Sequence, residues 1–123
     1  MGDDAERVAL FDAWAATYDD DLRDAGDDYP FADRDRVLDL AIERVLASQP
    51  AVVADLGCGT GAVLARLALA DPTIELWGVD SSPAMLARAR QSIPQARFVE
   101  ADLTGDAWAA ELPVPGAVVS AYA

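Results

Sequence analysis

The segment Val52–Gly61 reads VVADLGCGTG, an apolar run closed by the carboxylate of Asp55 and followed by Gly57, Gly59 and Gly61. A short apolar run bounded by glycine suits a buried strand. Glycine directly after it lets the backbone turn sharply and approach a ligand without a Cβ in the way. Beyond Gly61 the period changes, with Val63, Leu64, Leu67 and Ala68 at helical spacing. The segment therefore reads as strand, tight loop and helix, and the first amides of that helix face the loop's own space.

The same alternation continues downstream. Ile74–Val79 reads as a second strand ending in Asp80. Ser82 and Pro83 form a helix start, serine as N-cap and proline at the first helical position. That helix runs through Met85, Leu86 and Ala89 and breaks before Pro94. Ala96–Val99 is a third strand, followed by Glu100, Ala101, Asp102 and Leu103. A short helix fits Ala107–Leu112, and Gly116–Tyr122 reads as a fourth strand. Strands separated by helices imply parallel β-α-β units with right-handed crossovers. The fold class is α/β, a Rossmann-like doubly wound and mainly parallel sheet.

Upstream, Val8, Phe11, Trp14 or Ala15, Tyr18 and Leu22 form a helical apolar stripe, closed by the acidic run Asp19–Asp21 and a turn over Gly26–Pro30. A second helix fits Phe31–Ser48, with Val37, Leu38, Ala41, Ile42 and Val45 on one face. The chain thus divides into an N-terminal helical cap, residues 1–48, and a Rossmann-like half domain, residues 49–123.

The net charge over the 123 residues is −13, and all 9 basic residues are arginine. No nucleic-acid partner is expected, because phosphate contacts need clustered Lys or Arg. A cationic ligand is mildly favoured by the same field. The chain has no histidine, which removes the usual zinc ligand and general base, so no metal site is expected. The single cysteine, Cys58, has no internal disulfide partner and reads as a small residue in a tight loop rather than a nucleophile. The N-terminus lacks the basic residues of a signal peptide and no apolar run reaches membrane-spanning length, which leads to the expectation of a cytoplasmic protein without membrane contact.

In open α/β sheets ligands bind beyond the carboxyl ends of the strands, where strand order reverses. Asp55, Asp80 and Asp102 all fall at that edge. Gly57, Gly59 and Ala62 satisfy the G-x-G-x-x-G/A dinucleotide pattern, with Asp80 about 20 residues on, so a nicotinamide-binding reading has to be weighed. Against it, Gly61 stands within the loop, Asp55 would repel a pyrophosphate but attract an ammonium, and Asp102 offers a third acid to a base.

With these residues in view, the chain resembles the class I S-adenosylmethionine-dependent methyltransferases, in particular small bacterial ones acting on small molecules. VADLGCGTG is similar to their first motif, LWGVDSSPAML to the second, ARFVEADL to the third, and FDAWAATYDDDL to the helix that closes over the cofactor. The resemblance implies S-adenosylmethionine as cofactor and S-adenosylhomocysteine as product. It implies that Asp55 faces the methionine ammonium, and that Gly57, Cys58, Gly59 and Gly61 pass under methionine and ribose. Asp80 would accept the ribose hydroxyls with Ser81 beside it. Met85 would pack on the adenine, although core packing suits it too. Asp102 would take the adenine amino group and Leu103 would hold the ring. Tyr18, with Trp14, would cross the methionine end, and Ser120 would line the transfer site with Ala121 and Tyr122. The resemblance names no catalytic residue.

The family's sheet continues past four strands, so the expectation is a fragment, a truncated product or half of an assembly with an incomplete sheet, whose exposed edge invites homo-oligomers. Two alternatives accompany a methyltransferase with a small-molecule acceptor. One is a non-catalytic S-adenosylmethionine-binding or dimerising module, and the other an NAD-binding Rossmann domain.

Overall fold

A computed structural model describes residues 2–17 and 34–120. Helix α1 covers Gly2–Trp14 and α2 covers Arg34–Ala47. Strand β1 (Val52–Leu56), α3 (Ala62–Ala70), β2 (Glu75–Asp80), α4 (Pro83–Ser92) and β3 (Arg97–Glu100) follow in alternation. A 3₁₀ turn over Ala107–Glu111 leads to β4 (Ala117–Val119).

The four strands are all parallel, in the order β3-β2-β1-β4. Three successive strands step in one direction, and the fourth returns to the far side of β1. Right-handed crossovers put α3 and α4 on one face of the sheet, while the β3–β4 connection returns across the other. The reversal lies between β1 and β4, beside the glycine loop. This is the Rossmann-like α/β sheet expected from the sequence, with β4 at its edge.

The core lies between the sheet and its helices. Val53, Leu64, Leu67 and Leu86 are completely buried, and Leu38, Ile42 and Val45 of α2 join the same cluster. The Arg66 guanidinium bridges α3 to α2, reaching Asp35 Oδ1 at 2.7 Å and Asp39 Oδ1 at 2.6 Å. Both acids are exposed, so this fork adds on the order of 1 kcal/mol or less and serves mainly as alignment. Burial of the Leu38–Ile42–Val45 stripe supplies more.

Several boundaries differ from the sequence reading. Helix α1 ends at Trp14, where Ala15 N–H bonds to Asp12 O and Thr17 N–H to Trp14 O, a tightened last turn of i→i−3 type. Tyr18, Leu22, the acidic run, the turn over Gly26–Pro30 and Phe31 lie outside the described residues, as do Ala121 and Tyr122. Val37 is 44% exposed rather than on the packed face, because the contact stripe runs through Leu38, Ile42 and Val45. Strand β4 pairs only over Ala117–Val119, opposite Val53–Asp55. Among the described residues no helix is long and apolar enough to cross a membrane.

Gly78 in β2 is a point of close approach within the sheet. A Cβ there would lie 2.8 Å from both Cys58 Sγ and Phe98 Cδ1. Gly78→Ala is therefore expected to cost about 1–3 kcal/mol through overpacking, read as a fall in the urea midpoint at unchanged m-value. An unchanged midpoint would show that β2, β3 and the loop are not packed this closely.

Candidate cofactor site

The sheet register assembles the site. Leu56 is level with Val79, so the loop after β1 starts beside Asp80 at the end of β2. Asp80 is level with Glu100, so Asp102 lies two residues beyond that line. Asp55 is level with Val119, which puts Ser120 at the mouth of the loop. The Ser120 hydroxyl donates to Leu56 O at 3.0 Å and ties the end of β4 to the end of β1.

Backbone bonds fix the loop. Gly57 N–H and Cys58 N–H both donate to Val79 O, at 2.8 and 3.1 Å. Gly57, Gly59 and Gly61 have φ of 76°, 55° and 92°, the left-handed region that L side chains rarely adopt. The latter two also differ in what surrounds them. A Cβ on Gly61 would strike Ile93 Cδ1 at 2.4 Å, so this glycine lets α3 close against α4. A Cβ on Gly59 would meet nothing within 4 Å. The middle glycine thus presents bare backbone to open space.

Asp80 ties that backbone in place. Its Oδ2 accepts from Gly59 N–H at 2.8 Å and its Oδ1 from Ser82 N–H at 2.9 Å. A carboxylate offers about four lone-pair directions, so two amides leave capacity for two hydroxyl donors. That suits a vicinal diol.

Asp55 is 2% exposed, and its Oδ1 is buried without a hydrogen-bond partner among the described residues. Burial first, and the nearby Asp80 carboxylate second, push its carboxyl up from 3.8 to about 7. A buried, unpaired oxygen beside a second acid is satisfied by a cation that also donates hydrogen bonds. An amino-acid ammonium meets both requirements, and the donor set fits S-adenosylmethionine.

Cys58 is buried, its thiol pointing toward Gly59 O at 3.7 Å. Burial, then the carboxylates of Asp55 and Asp80, push the thiol well above its ordinary range. A group held so firmly as the neutral thiol is no nucleophile at neutral pH. Asp102 is exposed, with Oδ1 accepting from Thr104 N–H at 2.9 Å and Thr104 Oγ1 at 2.7 Å. Leu103 beside it is half-buried, as are Ser81 and Trp14. Met85 is enclosed at 2% exposure in the first turn of α4. Tyr18 falls outside the described residues. Among the described residues no His, Cys, Asp or Glu cluster is placed to hold a metal.

Sequence reading alone misses Asp12, whose carboxylate accepts from Ser82 Oγ and, at 3.2 Å, from Ala84 N–H at the start of α4. The contact spans some 70 positions, and no local spacing announces it.

A parallel sheet carrying a glycine loop and a strand-end carboxylate at its point of reversal defines an α/β protein that binds an adenosine-type cofactor. The family described as the methyltransferase domain matches residues 53–121, more than half of the chain. The chain belongs to this family, within the class I S-adenosylmethionine-dependent methyltransferases. Trans-aconitate 2-methyltransferases of Escherichia coli K12 and Shigella flexneri are 44% identical over 72 residues, covering 58% of this chain and 29% of theirs. The chain thus spans less than a third of the length of these relatives. A plantazolicin methyltransferase, solved with a triazolic desmethylPZN analog and S-adenosylhomocysteine, shares the fold at TM-score 0.52 and 23% identity, over 85% of this chain and 44% of that one. Coclaurine N-methyltransferase, solved with N-methylheliamine and S-adenosylhomocysteine, gives TM-score 0.51 at 25% identity over 57% and 22%. These matches decide against the nicotinamide alternative.

The state of Asp55 yields a test of the geometry that needs no ligand. Its folded carboxyl titrates above its unfolded value, so the folded state holds the proton more tightly and stability falls as pH rises from about 4 to about 7. The full effect is on the order of 4 kcal/mol above pH 7. Asp55→Asn is expected to stabilise the ligand-free chain by about 1–3 kcal/mol at pH 8, with a gain that shrinks toward pH 4. Urea denaturation at a series of pH values measures this, and a pH-independent difference would mean that Asp55 is not held in a desolvated site.

Proposed function

We propose that this chain binds S-adenosylmethionine and forms the cofactor-holding part of a methyltransferase that modifies a small molecule. One observation carries the reading: the buried Asp55 carboxylate, with an unpartnered oxygen, at the foot of a glycine loop whose middle residue faces open space. Asp55 would take the ammonium. Gly57, Cys58, Gly59 and Gly61 would run under methionine and ribose. Asp80, with Ser81 beside it, would accept the two ribose hydroxyls through its remaining lone pairs. Asp102 and Leu103 would hold the adenine, with Met85 beneath it, while Tyr18 and Ser120 would border the methionine end. The relatives named for trans-aconitate support a small-molecule acceptor.

When bound, the cofactor supplies an electrophilic methyl group on a sulfonium. The protein's contribution is to hold that methyl in line with the attacking atom, and such positioning alone accounts for much of the acceleration of two-reactant steps. Asp55 and Asp80 add countercharge beside a ligand of net positive charge. These 123 residues hold no histidine or lysine, so any protein base that they themselves supply would be a carboxylate or a tyrosine.

Calorimetric titration of the 123-residue chain with S-adenosylmethionine, S-adenosylhomocysteine and NAD tests the proposal. Saturable binding of both adenosyl ligands is expected, with none for NAD. Asp80→Ala should weaken binding at least about tenfold, since a charge-assisted bond contributes roughly 1.5–3 kcal/mol. A folded wild-type chain that binds neither adenosyl ligand would sink the reading. Methyl transfer by the chain without any partner would exclude the non-catalytic module.

A further inference from the structure

The N-terminal helix reaches the glycine loop through one unbroken chain of hydrogen bonds. Gly59 N–H donates to Asp80 Oδ2, and Ser82 N–H donates to Asp80 Oδ1. The Ser82 hydroxyl donates to Asp12 Oδ1 and accepts from Met85 N–H at 3.2 Å. Asp12 Oδ1 accepts again from Ala84 N–H. Asp12 belongs to α1, far upstream of α4 in sequence. Its carboxylate therefore serves as a second cap at the positive end of α4, supplied from another helix.

Ser82 is the joint of this relay. It is 1% exposed, so water does not readily replace either partner. Its hydroxyl answers to α1 and its amide answers to Asp80. The two oxygens of Asp80 are in turn fixed from opposite sides, by Ser82 and by the one loop glycine that faces open space. Releasing Asp12 frees the Ser82 hydroxyl and leaves Ala84 N–H without its acceptor. The first turn of α4 then loosens, and the Ser82 amide that holds one Asp80 oxygen is less firmly placed.

We propose that Asp12 is a positioning residue for the cofactor site: by gripping Ser82 and Ala84 it sets the Asp80 carboxylate and the Gly59 turn, coupling the docking of α1 to the engagement of a ribose diol. The diol part rests on the function proposed above, whereas the positioning of Asp80 and Gly59 does not. Coupling of this kind is reciprocal, so a ligand held by Asp80 also strengthens the docking of α1.

Amide NMR of the full chain tests the relay without any ligand. In Asp12→Ala the Gly59 and Ser82 amide resonances should move and their hydrogen exchange accelerate several-fold. S-adenosylhomocysteine affinity should fall about fivefold or more, the loss expected from removing a helix cap. Asp12→Asn keeps an acceptor oxygen without the charge, and should restore the Gly59 resonance and most of the affinity. Gly59 and Ser82 amides unchanged in a folded Asp12→Ala chain would overturn the proposal, as would an Asn variant no better than Ala. Should Asp12→Ala fail to fold, the Asn variant and the wild type decide: the Asn variant must keep the wild-type Gly59 resonance, and a bound ligand must slow exchange at Ala84. If the wild type binds no adenosyl ligand, the functional reading fails by itself, and the ligand-free Gly59 comparison still judges the relay.

Discussion

The Asp80 carboxylate is the bond on which the rest of the site depends. It sits at the end of β2 and receives one amide from the loop after β1 and another from the start of α4. Each segment has bonds of its own, the loop to Val79 O and α4 to Ser82 Oγ and Asp12, but Asp80 joins the two. The loop runs through three left-handed glycines, a conformation that costs chain entropy and is not stabilised by side chains. The first turn of α4 has orphan amides that need acceptors. Asp80 accepts one amide from each segment, while Asp12 and Ser82 Oγ accept the next two of α4, and the Asp80 carboxylate keeps lone-pair capacity beyond its two bonds. A binding group that is also a structural joint arrives oriented, which spares a ligand the cost of ordering it.

Asp55 shows the opposite economy. It is buried, partly unpartnered and next to a like charge, and each of these destabilises the ligand-free fold above neutral pH. A chain selected for stability alone would favour a neutral residue here. On the proposed reading, the ammonium of the cofactor supplies both the charge and the donors that Asp55 lacks, so the strain in the free protein becomes affinity in the complex. This is also why the net charge of −13 is compatible with function, since an acidic field opposes nucleic acid but not a sulfonium with an ammonium.

Most of the sheet is legible in the sequence because the signals there are local. Val52–Leu56 is a short apolar run, Ser82 caps α4 by accepting from Met85 N–H three residues on with Pro83 at the first helical position, and the glycine spacing fixes the loop. The sequence marks Asp55 and Asp80 as site residues through their place at strand ends. It does not reveal that Asp80 already holds two amides, because one of them belongs to Gly59, 21 positions away. Asp12 is illegible for the same reason. On a helical wheel it is one acid among many in an acidic chain, and only the packing of α1 on α4 gives it partners. Val37 is misread as core because helical periodicity defines a face only to within about a quarter turn, and the neighbouring Leu38 takes the contact.

The register carries the functional argument one step further. Asp55 is level with Val119, and Ser120 reaches back to Leu56 O, so the end of β4 is held against the mouth of the glycine loop at the point where strand order reverses. On the proposed reading Asp55 would take the ammonium and Asp80 the ribose, so both contacts would lie along the glycine loop. Asp80 is level with Glu100 at the end of β3 and Asp102 follows two residues on, so the proposed adenine contacts would fall on the β3 side. That arrangement would leave the side of Ser120 for an acceptor. Strand order places the ligand crevice at the β1–β4 reversal, and on the proposed reading it would also set the side from which transfer occurs, before any residue is assigned to the acceptor.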